Sequence, residues 1–541
     1  MKKLILILAA NLALLAVFTA CVSKTPVPET SYSETSVPET SVPESENSEI
    51  SHPVVEDKKV EEAPNIVFAK KLRNQLENRN TEGAIALFEN LPEELSGDKD
   101  LKLLLASLYY SNMEFDNASK VAVSILDVKK DARAEQNSSE DENQTVENYS
   151  KVVYLPVSAL GYKKTDFILP YEVGEDDKLV FELKEENLEI WELLALCQHA
   201  SGDKKTYKTI CDSILELDPY NITVNIQNAE DYTIAKKYKL ARGCYRLALK
   251  GDPNNADALF GLGMTSYFLD DVKTASKVFE DVLNIDPDNS SALSYMGKIQ
   301  AESENYLRAA KYAKLAIDSD PYNYDYWMDY GTYLRYQGKF DEAEAAWKHA
   351  VSLDPTYFLA YAYLAGSYDD RAMYPQALEN YRKVIETNPK YYFAYEEAAL
   401  LEYHEGNYEN AIKDFSKAYE YSNSWAYKLM IYACYVKLGN NLEAKNCLKT
   451  ALKEMKDRES SEYQLVKFFY DSYTKNGENL ILGKINKETN SNKRGKMLFY
   501  MGLYCELAGD ESNANDYYTK VTAMQAPMFF EYRLAEWSLG L

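Results

Sequence analysis

Six prolines, Pro219, Pro253, Pro287, Pro321, Pro355 and Pro389, follow one another at intervals of 34 residues. A domain folded around one closed core has no reason to keep such a period, whereas a chain of stacked copies of one small unit must. Five of the prolines follow aspartate and the sixth follows Asn388, in phrases such as LELDP, LNIDP and VSLDP. Each phrase ends an apolar helical pattern, where a proline belongs because it cannot continue the helix. An alanine ladder keeps the same step: Ala241, Ala275, Ala309, Ala343, Ala377 and Ala411, continued with small slips by Ala444 and Ala514 and repeated by Ala84 and Ala118. The 541 residues hold only 21 glycines and 17 prolines, too few for a turn-rich β architecture, and 46% are hydrophobic, enough for an extended helical core.

Within 324–357, Trp327, Tyr330, Gly331 and Leu334 stripe a first helix at three- and four-residue steps, and Ala343, Trp347 and Ala350 stripe a second. Gly338 falls between them, and Gly202, Gly406, Gly439 and Gly509 take the same place elsewhere, where a helix stops and turns. Small residues at 331 and 343 predict close approach of the two helices. Unit 256–289 carries Leu259, Leu262, Gly263, Ala275, Phe279 and Pro287; unit 358–391 carries Tyr361, Leu364, Tyr368, Ala377, Tyr381 and Pro389. This pattern resembles the tetratricopeptide repeat. One departure is Tyr207, which stands where the ladder calls for alanine.

The resemblance implies an all-α fold: a right-handed superhelical solenoid of helix-turn-helix units, with a disordered N-terminal tether and one inserted loop or small β flap. Counting outward predicts twelve units: two N-terminal ones over 65–132, a core array over 188–424, and three over 425–528 of which the first two are looser. The insertion spans 133–187, its polar first part reading as a loop and KVVYLPVSALGY and KLVFELK as short strands. Residues 529–541 would form a capping helix over the last exposed apolar face.

The first 20 residues, two lysines and then an apolar run, read as a secretory signal peptide. Cys21 follows Phe18-Thr19-Ala20, which resembles a bacterial lipobox. The resemblance implies acylation of Cys21, with each buried methylene worth about 0.8 kcal/mol of bilayer attachment. Residues 21–64, rich in Pro, Ser, Thr and Glu, then read as a disordered linker reaching on the order of 40 Å as a coil. Val22 lacks the aspartate that implies inner-membrane retention in some families, so the expected location is the cell envelope, at the outer membrane. A formal charge of -25 repels phosphates and excludes nucleic acid as the expected partner.

Nothing in the sequence points to catalysis, a metal or a cofactor. His52, His199, His349 and His404 lack metal-ligand spacing, and Gly338-Lys339 and Gly483-Lys484 lack the rest of a phosphate loop. Paired carboxylates are read as solvated helix faces. Cys197 with Cys211, and Cys434 with Cys447, fall on paired helices; buried thiols are the expectation and two bridges the alternative.

What remains is binding. In the family resembled, first helices line a concave groove through repeat positions 2, 5, 9, 12 and 13. Transferred here, these positions give Phe260, Met264, Tyr267 and Phe268, then Met328, Arg335 and Tyr336, then Phe393, Tyr403 and His404. An aromatic groove suits an unidentified protein or peptide partner. The expected function is therefore a non-enzymatic interaction scaffold or adaptor, held to the lipid bilayer by its N-terminus. The alternative is a glycan- or cell-wall-binding lipoprotein, since exposed tyrosines also stack on sugars.

Overall fold

The computed structural model describes residues 63–126, 150–160, 178–471, 474–525 and 527–541. The leader, Cys21, nearly all of the linker and most of the polar part of the insertion lie outside the described residues. Twenty-five α-helices run through the described residues. The first four are α1 (Pro64–Glu77), α2 (Thr81–Leu87), α3 (Lys99–Ser111) and α4 (Phe115–Val123). After two strands come α5 (Leu188–Ser201), α6 (Lys204–Leu217), α7 (Ile222–Ile234), α8 (Tyr238–Gly251), α9 (Ala256–Tyr267) and α10 (Val272–Ile285). Next are α11 (Ser290–Glu302), α12 (Tyr306–Ser319), α13 (Tyr324–Tyr336), α14 (Phe340–Leu353), α15 (Phe358–Asp370), α16 (Tyr374–Thr387), α17 (Tyr392–His404) and α18 (Tyr408–Ser422). The series closes with α19 (Trp425–Lys437), α20 (Asn441–Glu454), α21 (Ser461–Asp471), α22 (Lys475–Lys487), α23 (Ser491–Leu507), α24 (Glu511–Thr522) and α25 (Glu531–Leu539). Odd and even numbers pair as first and second helices of successive hairpins, and α25 is left over. The fold class is the all-α repeat solenoid that the sequence predicts. The chain divides into two compact units, 1–278 and 279–541.

The Asp-Pro phrases become structure through two hydrogen bonds. In Asp218-Pro219-Tyr220-Asn221, the Asp218 carboxylate accepts from the Tyr220 amide at 3.0 Å, bending the chain out of α6. Asn221 then caps α7, its Oδ1 accepting from the Val224 amide at 3.0 Å. The same pair of contacts recurs at Asp252 with Asn255 and at Asp286 with Asn289, and at Asp320 with Asn323 the cap accepts from the Asp325 amide, two residues on. Among the described residues, eleven hairpin turns hold one residue at positive φ. Glycine serves at 202, 338, 406, 439 and 509, but Arg79, Met113, Lys236, Asp270, Glu304 and Ala372 adopt it too, at φ between 54° and 61°.

The alanines of the ladder are buried throughout. Gly331, however, works by receiving a ring: the Trp347 indole lies against it and donates Nε1–H to the Met328 carbonyl at 3.2 Å. A Cβ at 331 would sit 2.5 Å from that nitrogen. At Tyr207 the ring leaves the ladder and lies edge-on to His199 at 5.0 Å, with its hydroxyl donating to Asn228 at 3.2 Å.

The insertion supplies two antiparallel strands, β1 (Ser150–Pro156) and β2 (Lys178–Lys184), with Val153 opposite Phe181 and Leu155 opposite Leu179. Their apolar residues enter one core with Trp191 and Leu194 of α5, Ile210 and Ile214 of α6, and Ala118 and Ala122 of α4. Phe181 meets Trp191 edge to face at 6.1 Å. These strands form the small β element expected of the insertion, and their apolar side chains join the core of the neighbouring hairpins. All six cysteines of the described residues are free thiols. Burial pushes Cys197 and Cys211 up to about 12 and Cys447 up to about 11, so none is poised as a thiolate.

Candidate binding groove

First helices touch first helices. In the N-terminal unit, Glu192 of α5 accepts hydrogen bonds from Asn221 at 2.6 Å and from Thr223 of α7 at 2.8 Å. In the C-terminal unit, Lys298 of α11 lies 3.5 Å from Asp329 of α13, and Arg335 of α13 pairs with Asp370 of α15. There the face is sharply bent, because Tyr500 of α23 donates to the Ala426 carbonyl of α19 at 3.1 Å, past the hairpin between them. The first helices of that unit therefore line the inner side of its curve.

The residues predicted for this face divide into reachable and unreachable ones. Phe260, Met264 and Tyr267 are half-buried; Phe268 is exposed and stacks on Tyr238 with ring centres 4.8 Å apart. In the second unit Tyr336 is 60% exposed and stacks on Tyr306 at 4.4 Å, and Phe393 is 46% exposed. Arg335 is half-buried and engaged with Asp370. Met328 is a correction: it is 6% exposed and packs among Leu334, Trp347 and Leu364, where no partner reaches it. Tyr403 is a second correction, since its hydroxyl is buried without a hydrogen-bond partner and burial holds that hydroxyl well above its usual range. His404 remains exposed, although Trp537 of the final helix stacks on one side of its ring at 4.2 Å.

Three aromatic pairs emerge that residue-type counting does not predict. Tyr238–Phe268, Tyr306–Tyr336 and Tyr374–His404 each join the start of a second helix to the end of the next first helix, and they recur every 68 residues. Their signal is a 30-residue spacing of aromatic residues.

The carboxylates of this face are not the solvated ones expected from composition. Burial raises Glu192, Asp329 and Glu396 above the ordinary carboxylate range. Burial also raises Glu230 to about 7, helped by Asp257 and Asp231, against the lowering effect of His199, whose Nε2 lies 2.8 Å from Asp231. Glu397 reaches about 7 by burial and by the neighbouring Glu396, although Arg533 pulls it down. Half-buried acids beside exposed rings favour cationic and aromatic groups over anionic ones. Among the described residues no cluster of His, Cys, Asp and Glu has the geometry to hold a metal, and no helix is long and apolar enough to cross a membrane.

Comparison with known proteins agrees on the repeats. Residues 256–289, 324–357 and 367–424 each match a model of the tetratricopeptide repeat. No curated protein matches the chain. Among solved structures, MamA is 25% identical over 30% of this chain and 95% of its own, with a TM-score of 0.29. YrrB, described as a TPR protein with an unusual peptide-binding site, is 22% identical over 34% of this chain and 95% of its own, with a TM-score of 0.30. PilF of Pseudomonas aeruginosa is 20% identical over 39% of this chain and 96% of its own, with a TM-score of 0.31. Tetratricopeptide repeats are generally non-catalytic protein-interaction scaffolds, and no enzymatic family is indicated.

Proposed function

We propose that this tetratricopeptide-repeat protein is a membrane-anchored adaptor of the bacterial cell envelope that holds a segment of a partner protein along its first-helix face. The observation that carries the groove reading is Tyr336, exposed at the end of α13 and stacked on Tyr306 of the preceding second helix, on the same first helix as the half-buried Asp329. Aromatic side chains give large contact area for little entropy, which is why they anchor protein partners. The anchor half of the proposal rests on the leader and Cys21. A tether of some forty residues would keep the solenoid at high local concentration beside the membrane.

Two measurements test the two halves. Cys21→Ser should shift the protein from the membrane to the soluble fraction; a protein that stays in the membrane fraction contradicts lipid attachment at this residue. Co-purification from detergent-solubilised envelopes should return a protein that the Tyr336→Ala/Phe393→Ala variant loses. If both forms retain the same proteins, the groove is not the binding face. If the tyrosine-dependent ligand is instead purified peptidoglycan, held in high salt, the glycan reading replaces the adaptor.

A further inference from the structure

The final helix does more than end the stack. It packs on α23 and α24 as a cap would, but its outer side chains reach first helices far back in the sequence. Arg533 grips Asp369 of α15 with both guanidinium nitrogens, one at 2.7 Å, and lies 3.5 Å from Glu397 of α17. Trp537, one turn on, stacks on His404 at 4.2 Å and donates Nε1–H to the Tyr374 hydroxyl at 3.2 Å. The guanidinium also lies over the Trp537 ring, 4.2 Å from its centre. Tyr374–His404 is the third of the recurring aromatic pairs, and its counterpart in the same unit, Tyr306–Tyr336, keeps Tyr336 open to solvent. Trp537 thus occupies a platform of the groove in the manner of a ligand.

This ligand fits with one flaw. Glu531 is carried into full burial, where Oε1 accepts from Tyr500 at 3.1 Å and Oε2 accepts nothing, the nearest cation being Lys496 at 3.9 Å. The groups facing the helix at this end are Lys496 and Tyr500 from α23, Glu396 and Glu397 from α17, Asp369 and Tyr381 from α15 and α16, and Tyr427 from α19, which bonds Glu396. Three groove carboxylates stand against one groove lysine, so an incoming segment should bring positive charge. Arg533 supplies it and Glu531 cancels it.

We propose that α25 is a resident, exchangeable ligand of the groove, and that this stretch takes from a partner a helix with an arginine, an aromatic residue four positions later, and no carboxylate two positions before the arginine. This rests on the groove reading above and names the chemistry of its partner. Such a segment gains by charge what the resident helix holds by covalent attachment. Burial raises Glu531 to about 7, so seating the resident helix takes up a proton below neutrality and is weakest in alkaline solution.

The probes are two peptides with the sequence of residues 527–541, one native and one with Glu531→Gln, each fluorescently labelled and titrated against the full chain. The full-length Arg533→Ala/Trp537→Ala variant should bind either probe at least about tenfold more tightly than the wild type, since its platform is no longer filled in cis. The Glu531→Gln peptide, which removes the buried charge without setting a cation beside Lys496, should bind more tightly than the native one, with the gap widening from about pH 5.5 to about pH 8. Equal affinities for the two peptides, or no binding to a variant that still melts cooperatively, overturn the proposal. Should that variant not fold, hydrogen exchange on the wild type decides: excess Glu531→Gln peptide must speed exchange of 531–539 and leave 511–522 unchanged, and no change overturns the proposal. Dimerisation of the variant by exchange of its own C-terminal helix would make a second copy the occupant, which also overturns it. Peptide binding without tyrosine-dependent co-purification leaves this inference standing and removes the adaptor function; the reverse does the opposite.

Discussion

Trp347 is seated only because residue 331 has no side chain, and its indole nitrogen then satisfies the Met328 carbonyl inside the core. Gly331→Ala forces a methyl to 2.5 Å from that nitrogen, and interiors at crystal-like density do not yield freely. The expected cost is about 1–3 kcal/mol, seen as a lower urea midpoint with an unchanged slope. An unchanged midpoint would mean that the ring and not the backbone gives way. Tyr336 is the opposite case, since its ring is mostly in solvent; Tyr336→Ala should shift stability by less than about 0.5 kcal/mol, so any loss of binding reports on the surface. The sequence shows that 331 must be small but not why. The indole that fills the space belongs to the partner helix, and its rotamer is a tertiary fact. Met328 and Tyr403 mislead for a related reason. Repeat position alone says which way a residue tends to face, while the neighbouring hairpin decides how much of it is covered.

At the level of elements, the hairpin turns and the inserted strands carry separable tests. Seven successive turns, at 202, 236, 270, 304, 338, 372 and 406, hold a left-handed residue every 34 positions, yet only three of these are glycine. A side chain at positive φ costs roughly 1–2 kcal/mol, partly offset by the greater freedom of glycine in the unfolded chain. Ala372→Gly should therefore raise the urea midpoint, by an amount corresponding to roughly 0.5–1 kcal/mol. A lower midpoint would show that this turn is not strained. The five glycine turns are legible in the sequence; the six others are not, because arginine, methionine, lysine, aspartate, glutamate and alanine carry no mark of that conformation. The strands β1 and β2 are legible as apolar alternation, but their place in the core is not, since Val153 and Phe181 pair across the insertion and pack with residues as far back as Ala118. Phe181→Ala should cost about 3–5 kcal/mol, measured by urea unfolding of the full chain. A surface-like loss below about 0.5 kcal/mol would contradict the shared core.

Across the whole molecule, excess acid and buried carboxyls set a direction for stability with pH. Glu230, Glu397 and Glu531 are each raised by burial from 4.5 to about 7. Below the unfolded value both states hold the proton; between about 4.5 and 7 the folded state alone does, so stability falls as pH rises through that window and the loss is complete above it. The melting temperature should accordingly drop from about pH 5 to about pH 8, and Glu531→Gln should flatten part of the slope. A melting temperature that climbs over this range would refute the burial assigned to these groups. The architecture is legible from a 34-residue period because stacking within each unit is local, hairpin on neighbouring hairpin. The docking of α25 is not legible, because Arg533 and Asp369 lie 164 residues apart and their meeting depends on how sharply the intervening hairpins turn. The central claim, that the first-helix face holds a protein partner, meets its most direct test in intact cells. A photo-crosslinking residue at Tyr336 or Tyr267, with a control at Lys383 on a second helix, would be activated and the adducts identified by mass spectrometry. One protein should be captured reproducibly at the two tyrosine positions and be absent at Lys383; equal capture at all three positions, or none at the tyrosines, would contradict binding on the first-helix face.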